Sequence, residues 1–146
     1  MIEKNQQEII AEFAFFDDWM QKYEHIIELG KDLPLIDEHY KTDDHLIRGC
    51  QSRVWLHAQA DENGCVHYTA DSDAIITKGL VALVIRVLSG EKAEDIVNSE
   101  LHFVNDIGLN QHLSPTRSNG LSSMIGQMKL YALAIASLSQ KSTHGN

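Results

Sequence analysis

The chain of 146 residues contains only two cysteines and two prolines, and it has few positive charges. Twelve lysines and arginines stand against 21 aspartates and glutamates, which gives a net charge of −9. Because nucleic acids and anionic membranes attract basic faces, this balance argues against both as partners. No apolar run approaches the ~20 residues of a transmembrane helix, and residues 1–7 lack a signal peptide's apolar segment. We therefore expect a cytoplasmic protein.

Cys50 and Cys65 are too few for several kinds of site. Disulfides are rare in the cytoplasm, and both structural zinc sites and iron–sulfur clusters take about four ligands. We therefore expect no structural disulfide, no bound cluster and no metal. His57 and His67 lie on predicted strands, where they either form a metal pair with Cys65 or are simply solvated.

Familiar catalytic signatures are also missing from the sequence. There is no glycine-rich phosphate loop, no Gly-x-Ser-x-Gly and no His-Glu-x-x-His. A cysteine hydrolase would need His45 or His112 beside Cys50, and sequence spacing does not show such a pair. Thiol chemistry at a single cysteine is the class that remains.

Two helices are predicted near the N-terminus. Residues 5–30 have apolar side chains at helical spacing, interrupted near residue 17. Asp18 and Gln21 resemble a capping box there, which indicates the start of a second helix. Gly30 is the expected end of that helix.

A β-hairpin is predicted in the middle of the chain. The polar segment 35–45 is expected to be irregular, and residues 46–47 to form a short strand. Residues 54–60 and 65–70 are typical of strands, and Asn63-Gly64 between them is a strong hairpin turn signal.

The next segment, about residues 74–88, is apolar almost all round, which predicts a central buried helix. Asp71, Ser72 and Asp73 precede it and are expected to cap its first turn, where side-chain oxygens accept free N–H groups. Gly79 within the helix indicates a close packing contact.

The last part of the chain is predicted to be helical. Residues 91–107 are expected to form one or two short helices, and residues 112–117 a loop, because their proline disfavours helix just before it. An amphipathic helix follows over residues 121–138, with Ser118 or Asn119 as its N-cap.

The order of helices, then strands, then helices predicts one α+β domain. Its small antiparallel sheet is expected to carry helices packed on one face. The domain spans residues 1–146, with an ordered core over about 5–138 and a frayed tail over 139–146.

Cys50 lies in a loop with a composition that suits a reactive thiol. Gly49 lets the backbone bend sharply. Arg48 and Arg53 flank the cysteine, and a nearby guanidinium favours the thiolate, which is the nucleophile. The loop residues also leave open a second interpretation, a small buried apolar side chain.

Residues 49–55, Gly-Cys-Gln-Ser-x-Val-Trp, resemble the signature of the SufE family of sulfur acceptors. Four further stretches resemble the same family in the same order, so the resemblance extends from about residue 5 to 138. They are Tyr23-x-x-Ile26-Ile27-Glu28-Leu29-Gly30, Asp71-Ser72-Asp73-Ala74, Lys78-Gly79-Leu80 and His112-Leu113-Ser114-Pro115-Thr116-Arg117-Ser118-x-Gly120-Leu121.

The resemblance implies a sulfur-transfer protein for iron–sulfur cluster assembly, with an α+β fold like that of IscU-type scaffolds. Such proteins take sulfur from a SufS- or CsdA-like cysteine desulfurase, stimulate it, and pass sulfur to a SufBCD-like scaffold complex. Pyridoxal phosphate belongs to the desulfurase, so we expect no cofactor and no independent enzyme activity here. Alternatives are a CsdE-type acceptor for a different desulfurase and an allosteric activator that carries no sulfur. The protein is expected to be a monomer or homodimer.

By the same resemblance, Cys50 is the persulfide acceptor. Its thiolate would attack the terminal sulfur of the partner's persulfide, by analogy with thiol–disulfide exchange. The cysteine is expected to point into an apolar cavity walled by Trp55 and the buried helix, and Gly49 to let the loop swing outward. The residues expected to support the loop are Arg48, Gly49, Gln51, Ser52 and Trp55.

Three charged residues of the motifs have two interpretations each. Arg117 either lies near Cys50, where it favours the thiolate or binds the partner, or forms a surface salt bridge. Asp71 and Asp73 either hold the cysteine loop or face the partner, or they cap the helix. Cys65 lies outside the family pattern and is interpreted as incidental.

Overall fold

The structure, a computed structural model, describes the backbone of residues 1–144 and the side chains of residues 1–138. Two helices come first, a hairpin follows, and five helices and a third short strand complete the chain. The helices are α1 (Ile2–Phe13), α2 (Trp19–Gly30), α3 (Ile75–Leu88), α4 (Ala93–Val97), α5 (Phe103–Asp106), α6 (Leu109–His112) and α7 (Pro115–His144). The strands are β1 (Val54–Ala60), β2 (Cys65–Ser72) and β3 (Glu91–Lys92), and short 3₁₀ turns cover Glu38–Tyr40 and Asp43–His45.

The three strands form one antiparallel sheet in the order β1-β2-β3. The predicted hairpin is confirmed, with Val54 opposite Ser72 and Ala60 opposite Val66. The predicted strand at residues 46–47 is reduced to a single bridge between Leu46 and Trp55. β3 was not predicted, since a strand of two residues is too short to show a periodic pattern.

Helices cover one face of the sheet, as predicted for an α+β fold. Val54 and Leu56 of β1 are buried on that face beside Val66, Tyr68 and Ala70 of β2. Most of α3 is buried against them, which confirms the central buried helix.

The opposite face of the sheet meets the irregular segment that precedes the cysteine. Tyr40 stacks on His57 of β1 with 4.0 Å between the ring centroids. Residues 35–45 contact the sheet through aromatic side chains with polar groups, so their sequence shows no apolar periodicity.

α2 and α3 cross at a point where both helices carry glycine. A Cβ atom on Gly79 would overlap the backbone carbonyl of Ile26, and one on Gly30 would lie 3.0 Å from the nitrogen of Gly79. The predicted close contact at Gly79 is therefore confirmed. The break before α2 is confirmed as well, because the Asp18 side chain accepts a hydrogen bond from the Gln21 N–H at 2.9 Å.

The predicted start of the last helix was wrong. α7 begins at Pro115 rather than after Ser118 or Asn119, and the expected 112–117 loop is limited to the residues between α6 and α7. Proline suits the first position of a helix because the N–H that it lacks would have no partner there. The Ser114 hydroxyl accepts a hydrogen bond from the Arg117 N–H at 3.3 Å.

The predicted cap of α3 was also wrong. Asp71 and Ser72 belong to the end of β2, and Ala74 occupies the N-cap position without a side-chain hydrogen bond. The carboxylates of Asp71 and Asp73 have other partners, which lie at the cysteine loop and on neighbouring lysines.

α7 is longer than predicted. By length and composition alone, Pro115–Leu138 would suffice to cross a membrane, with a mean hydropathy of 1.2. By this measure the expectation that no stretch of the chain is long and apolar enough was wrong. One side of α7 packs into the core of the domain through Leu121, Met124, Met128 and Ala132. Its backbone continues to His144, whereas the side chains of 139–146 lie outside the described residues, so the frayed tail and the domain limits stay predictions.

Candidate functional site

The cysteine loop, residues 48–53, lies against the N-terminal half of α7. Gly49 has φ +93°, a left-handed conformation that favours glycine, and a Cβ atom there would overlap the Ser123 hydroxyl. The Cys50 thiol donates a hydrogen bond to the carbonyl oxygen of Gly120 at 3.5 Å. A Cβ atom on Gly120 would lie 3.6 Å from the Cys50 sulfur. Gly120 and Ser123 thus form a small-residue seat for the loop, here called the α7 seat.

Beside the half-buried thiol lies a cavity of about 90 Å³, here called the Cys50 cavity. It lies between the cysteine loop and the N-terminal turns of α3 and α7. Its apolar wall consists of Ile76, Leu80 and Met124, and its polar wall includes Ser52, Thr77 and Thr116. The site therefore places one thiol beside a space with both apolar and hydrogen-bonding groups.

Burial raises the pKa of the Cys50 thiol above its ordinary value. The expectation that Arg48 and Arg53 favour the thiolate is therefore wrong for this conformation. Both arginines are exposed, and neither lines the Cys50 cavity. At neutral pH the resting cysteine is a protonated thiol, as its hydrogen bond to a carbonyl oxygen also requires.

Several predicted site residues do come together at the cavity. Gln51, Ser52 and Arg117 line it with Cys50. The Arg117 guanidinium lies 5.9 Å from the centre of the Tyr23 ring. Among the side chains that the structure describes, Arg117 forms no salt bridge, so the surface-salt-bridge interpretation is not supported.

Trp55 does not line the cavity, and this part of the prediction was wrong. Strand alternation places Trp55 on the other face of β1 from the buried Val54 and Leu56. Its ring lies under the ammonium group of Lys41, which is 5.0 Å from the ring centre. The other predicted wall, the buried helix α3, is confirmed.

Asp73 holds the end of the cysteine loop. Its carboxylate accepts a hydrogen bond from the Arg53 N–H at 3.0 Å. The Arg53 carbonyl in turn accepts hydrogen bonds from the Ser72 hydroxyl at 2.8 Å and from the Asp73 N–H at 3.3 Å. These three bonds fasten the loop to the end of β2, which is the contact that the loop-holding interpretation of Asp73 requires.

Asp71 interacts with lysines rather than with the loop. It lies 2.9 Å from Lys41 and 3.4 Å from Lys78. Burial raises the pKa of the Asp71 carboxyl, but the hydrogen bond from Lys41 and the charge of Lys78 outweigh it, so the pKa is lowered overall. Asp71 is an ionised bridge between the segment before the loop and α3.

The histidines are engaged elsewhere in the fold. His112 stacks on Trp19 with 4.6 Å between ring centroids, and His45 contacts Thr42. Neither of them lines the Cys50 cavity, so the described residues show no cysteine–histidine pair there. His67 bonds to Asp61, and the described part of the chain contains no cluster of three potential metal ligands.

Comparison with known proteins identifies the family. The model of the SufE family, described as an Fe-S metabolism associated domain, matches residues 7–132. The chain belongs to the SufE family. A SufE-like protein of Rhizobium meliloti is 44% identical over 126 residues, which cover 84% of this chain and 90% of the relative.

A further relative and one solved structure show how far this similarity extends. The chloroplastic/mitochondrial SufE-like protein 1 of Arabidopsis thaliana is 41% identical over 87% of this chain, which corresponds to 34% of that longer protein. The solution structure of a hypothetical protein from Thermus thermophilus has a TM-score of 0.75 and 18% identity, covering 91% of this chain and 96% of that one. At this identity the structural match supports the fold alone.

Sequence reasoning missed several groups in this SufE-family site. Gly120 belongs to a motif that was noticed, but its contact with the thiol was not foreseen. Thr77 is a polar residue in a mostly apolar helix, and this exception to the pattern could have marked it as a site residue. Ser123 carries no signal in the sequence, since a serine on an amphipathic helix is ordinary.

Proposed function

We propose that this SufE-family protein accepts sulfur on Cys50 from a partner cysteine desulfurase, stimulates that enzyme and passes the sulfur to an iron–sulfur cluster scaffold. The observation that carries this proposal is the single thiol beside the Cys50 cavity. Cys65, the other cysteine of the described residues, does not line this cavity.

The transfer step needs no oxidant or reductant. The sulfur of Cys50 attacks the terminal sulfur of the donor's persulfide and forms a new S–S bond. The donor's own S–S bond breaks, and its cysteine leaves as a thiolate that takes up the proton lost by Cys50. One sulfur atom has moved, and the numbers of thiols and persulfides are unchanged.

The cavity supports storage of the persulfide between the two transfers. Its volume of about 90 Å³ exceeds the roughly 10–15 Å³ that a cavity needs to hold one water molecule, so an added sulfur atom has room beside the thiol. The surrounding apolar side chains would keep water and oxidants away from that sulfur.

Loading and unloading then require the cysteine loop to leave the α7 seat. Gly49 already has a conformation outside the range of other residues, and the loop is held to α7 by one weak thiol hydrogen bond. The fixed end of the loop is at Arg53, where Asp73 holds the backbone. We therefore expect residues 48–52 to move about Arg53.

The desulfurase is SufS- or CsdA-like and brings its own pyridoxal phosphate, and the receiver is a SufBCD-like scaffold complex. We place the protein in the cytoplasm, as a monomer or homodimer that is not an independent enzyme. The two free thiols, Cys50 and Cys65, are consistent with a reducing compartment.

A desulfurase assay separates the sulfur carrier from an allosteric activator. Sulfide or alanine production would be measured with wild-type protein, Cys50→Ser and the matched control Cys65→Ser. We expect Cys50→Ser to bind the desulfurase but to lose the stimulation, whereas Cys65→Ser keeps it. Full stimulation by Cys50→Ser would contradict the carrier and leave the allosteric activator. Running SufS- and CsdA-like enzymes in parallel separates the SufE-type from the CsdE-type partner.

A further inference from the structure

Thr77 is a buried polar residue whose hydroxyl group has no hydrogen-bond partner among the residues that the structure describes. Its side chain lines the Cys50 cavity, and the residue is only 8% exposed. Among the described residues, no side-chain hydrogen bond involves Thr77. Every described side-chain oxygen or nitrogen that is completely cut off from solvent does have a hydrogen-bond partner. The Thr77 oxygen therefore keeps contact with open space, and the space that it adjoins is the cavity.

The backbone around Thr77 also presents donors. Thr77 lies in the first turn of α3, where N–H groups have no carbonyl partner within the helix. Ala74 at the N-cap supplies no side-chain acceptor for them. Because the aligned peptide dipoles make this end of a helix positive, the turn favours an anion.

The resting thiol does not use these donors. Cys50 donates its own hydrogen to the Gly120 carbonyl, which is an acceptor and suits a neutral thiol. An anionic persulfide has no hydrogen to donate, so that contact is lost once sulfur is loaded. The extra sulfur atom would extend into the cavity, where Thr77 is the buried group that can donate.

We propose that the Thr77 hydroxyl donates a hydrogen bond to the terminal sulfur of the persulfide on Cys50, and that the first turn of α3 stabilises its negative charge. This inference rests on the proposed function and makes Thr77 a positioning residue for the stored sulfur. In the balanced step, the Cys50 thiol and the donor's persulfide anion become the Cys50 persulfide anion and the donor's thiol. No electrons are gained or lost overall.

The charged side chains around the Cys50 cavity are not altered by a substitution at Thr77. Arg117 of α7 is the charged side chain that lines the cavity. Arg48 and Arg53 of the loop are exposed, and Asp73 is bound to the Arg53 N–H. A substitution at Thr77 therefore changes the hydroxyl group without changing the charge of the site.

The experiment compares wild-type protein with Thr77→Val, Thr77→Ala and Thr77→Ser after loading by a desulfurase with cysteine. Mass spectrometry without reductant follows the persulfide on Cys50 over time, and alkylation with iodoacetamide at several pH values gives the pKa of the persulfide. Urea unfolding checks that every variant folds. Thr77→Val removes only an unpartnered hydroxyl, so we expect its stability to match the wild type or exceed it.

We expect Thr77→Val and Thr77→Ala to raise the persulfide pKa by about one, a change of about tenfold in the anion–acid equilibrium, and to shorten the lifetime of the loaded state. Thr77→Ser should restore both quantities, which a purely structural role would not explain. Identical pKa and lifetime in wild type and both hydroxyl-free variants would overturn the role of Thr77 while leaving the sulfur carrier intact. A wild-type protein that acquires no persulfide would overturn the proposed function itself.

Discussion

The sulfur of Cys50 lies 3.5 Å from the carbonyl oxygen of Gly120 and donates a hydrogen bond to it. One helical turn further along α7, Ser123 lies against the backbone of Gly49. The cysteine loop thus rests on two small residues of one helix. A methyl group added at Gly49 would overlap the Ser123 hydroxyl, whereas one added at Gly120 would only contact the Cys50 sulfur. Substitutions at these contacts can therefore test whether Cys50 rests as a protonated thiol beneath a closed loop.

Gly120→Ala should narrow the space beside the thiol. The new methyl group would lie 3.6 Å from the Cys50 sulfur, an ordinary contact that the resting thiol tolerates. Replacing glycine within a helix stabilises the protein by about 0.5–1 kcal/mol. We expect a higher urea midpoint together with a lower yield of Cys50 persulfide.

Gly126→Ala is the matched control for that variant. It lies on α7 too, and a Cβ atom there would meet nothing within 4 Å. It should give the gain in stability without a loss of persulfide. Equal persulfide yields from the two variants would show that the contact with Gly120 does not limit the site.

Gly49→Ala should open the cysteine loop. Alanine at φ +93° costs about 1–2 kcal/mol, and its methyl group would overlap the Ser123 hydroxyl. We expect Cys50 to react faster with iodoacetamide at neutral pH, because the open loop exposes the thiol to water. Gly64→Ala has the same kind of strain at φ +79° without a neighbour within 4 Å, so it should destabilise the protein without accelerating Cys50. An unchanged rate in Gly49→Ala would mean that the α7 seat does not control access.

The burial of Cys50 predicts a pH dependence with a defined sign. Its pKa in the folded protein lies above the ordinary value of 9.0, because burial disfavours the thiolate. The contribution to stability is therefore complete below pH 9 and is lost as the pH rises through the folded pKa. The free energy of unfolding in urea should fall more steeply above pH 9 for wild type than for Cys50→Ser. Parallel curves would show that the thiol is not desolvated in solution.

Gly79→Ala should destabilise the domain severely. Alanine normally stabilises a helix, but here its methyl group would overlap the Ile26 carbonyl, which belongs to the backbone of α2 and cannot rotate away. Overpacking of this kind costs about 1–3 kcal/mol or more. The urea midpoint measures it, with Gly126→Ala as the reference for the helix effect. A midpoint as high as that of the reference would mean that α2 and α3 can separate at little cost.

The sequence predicts the parts of this fold in which one local signal dominates. The Asn63-Gly64 turn and the alternating strands define the hairpin, and the apolar run at 74–88 defines the central helix. Cys50 could be singled out because glycine and small polar residues surround it. The family resemblance is confirmed by the family comparison.

The remaining features depend on contacts between segments that are distant in the chain. Asp73 appeared to be a helix cap because it precedes α3, but its carboxylate binds the Arg53 N–H, 20 residues away. Trp55 follows a cysteine motif, and strand alternation turns it to the other face of the sheet. The charge state of Cys50 depends on burial between the loop and α7 rather than on Arg48 and Arg53 beside it in the sequence.

The most direct test of the central claim is mass spectrometry of the Cys50 and Cys65 peptides without reductant. The protein would be incubated with an active cysteine desulfurase, pyridoxal phosphate and free cysteine. The account predicts that Cys50 gains one or more sulfur atoms, and that the gain disappears when the desulfurase is omitted. Sulfur on Cys65 alone, or none on Cys50 with several desulfurases shown to be active, would contradict it.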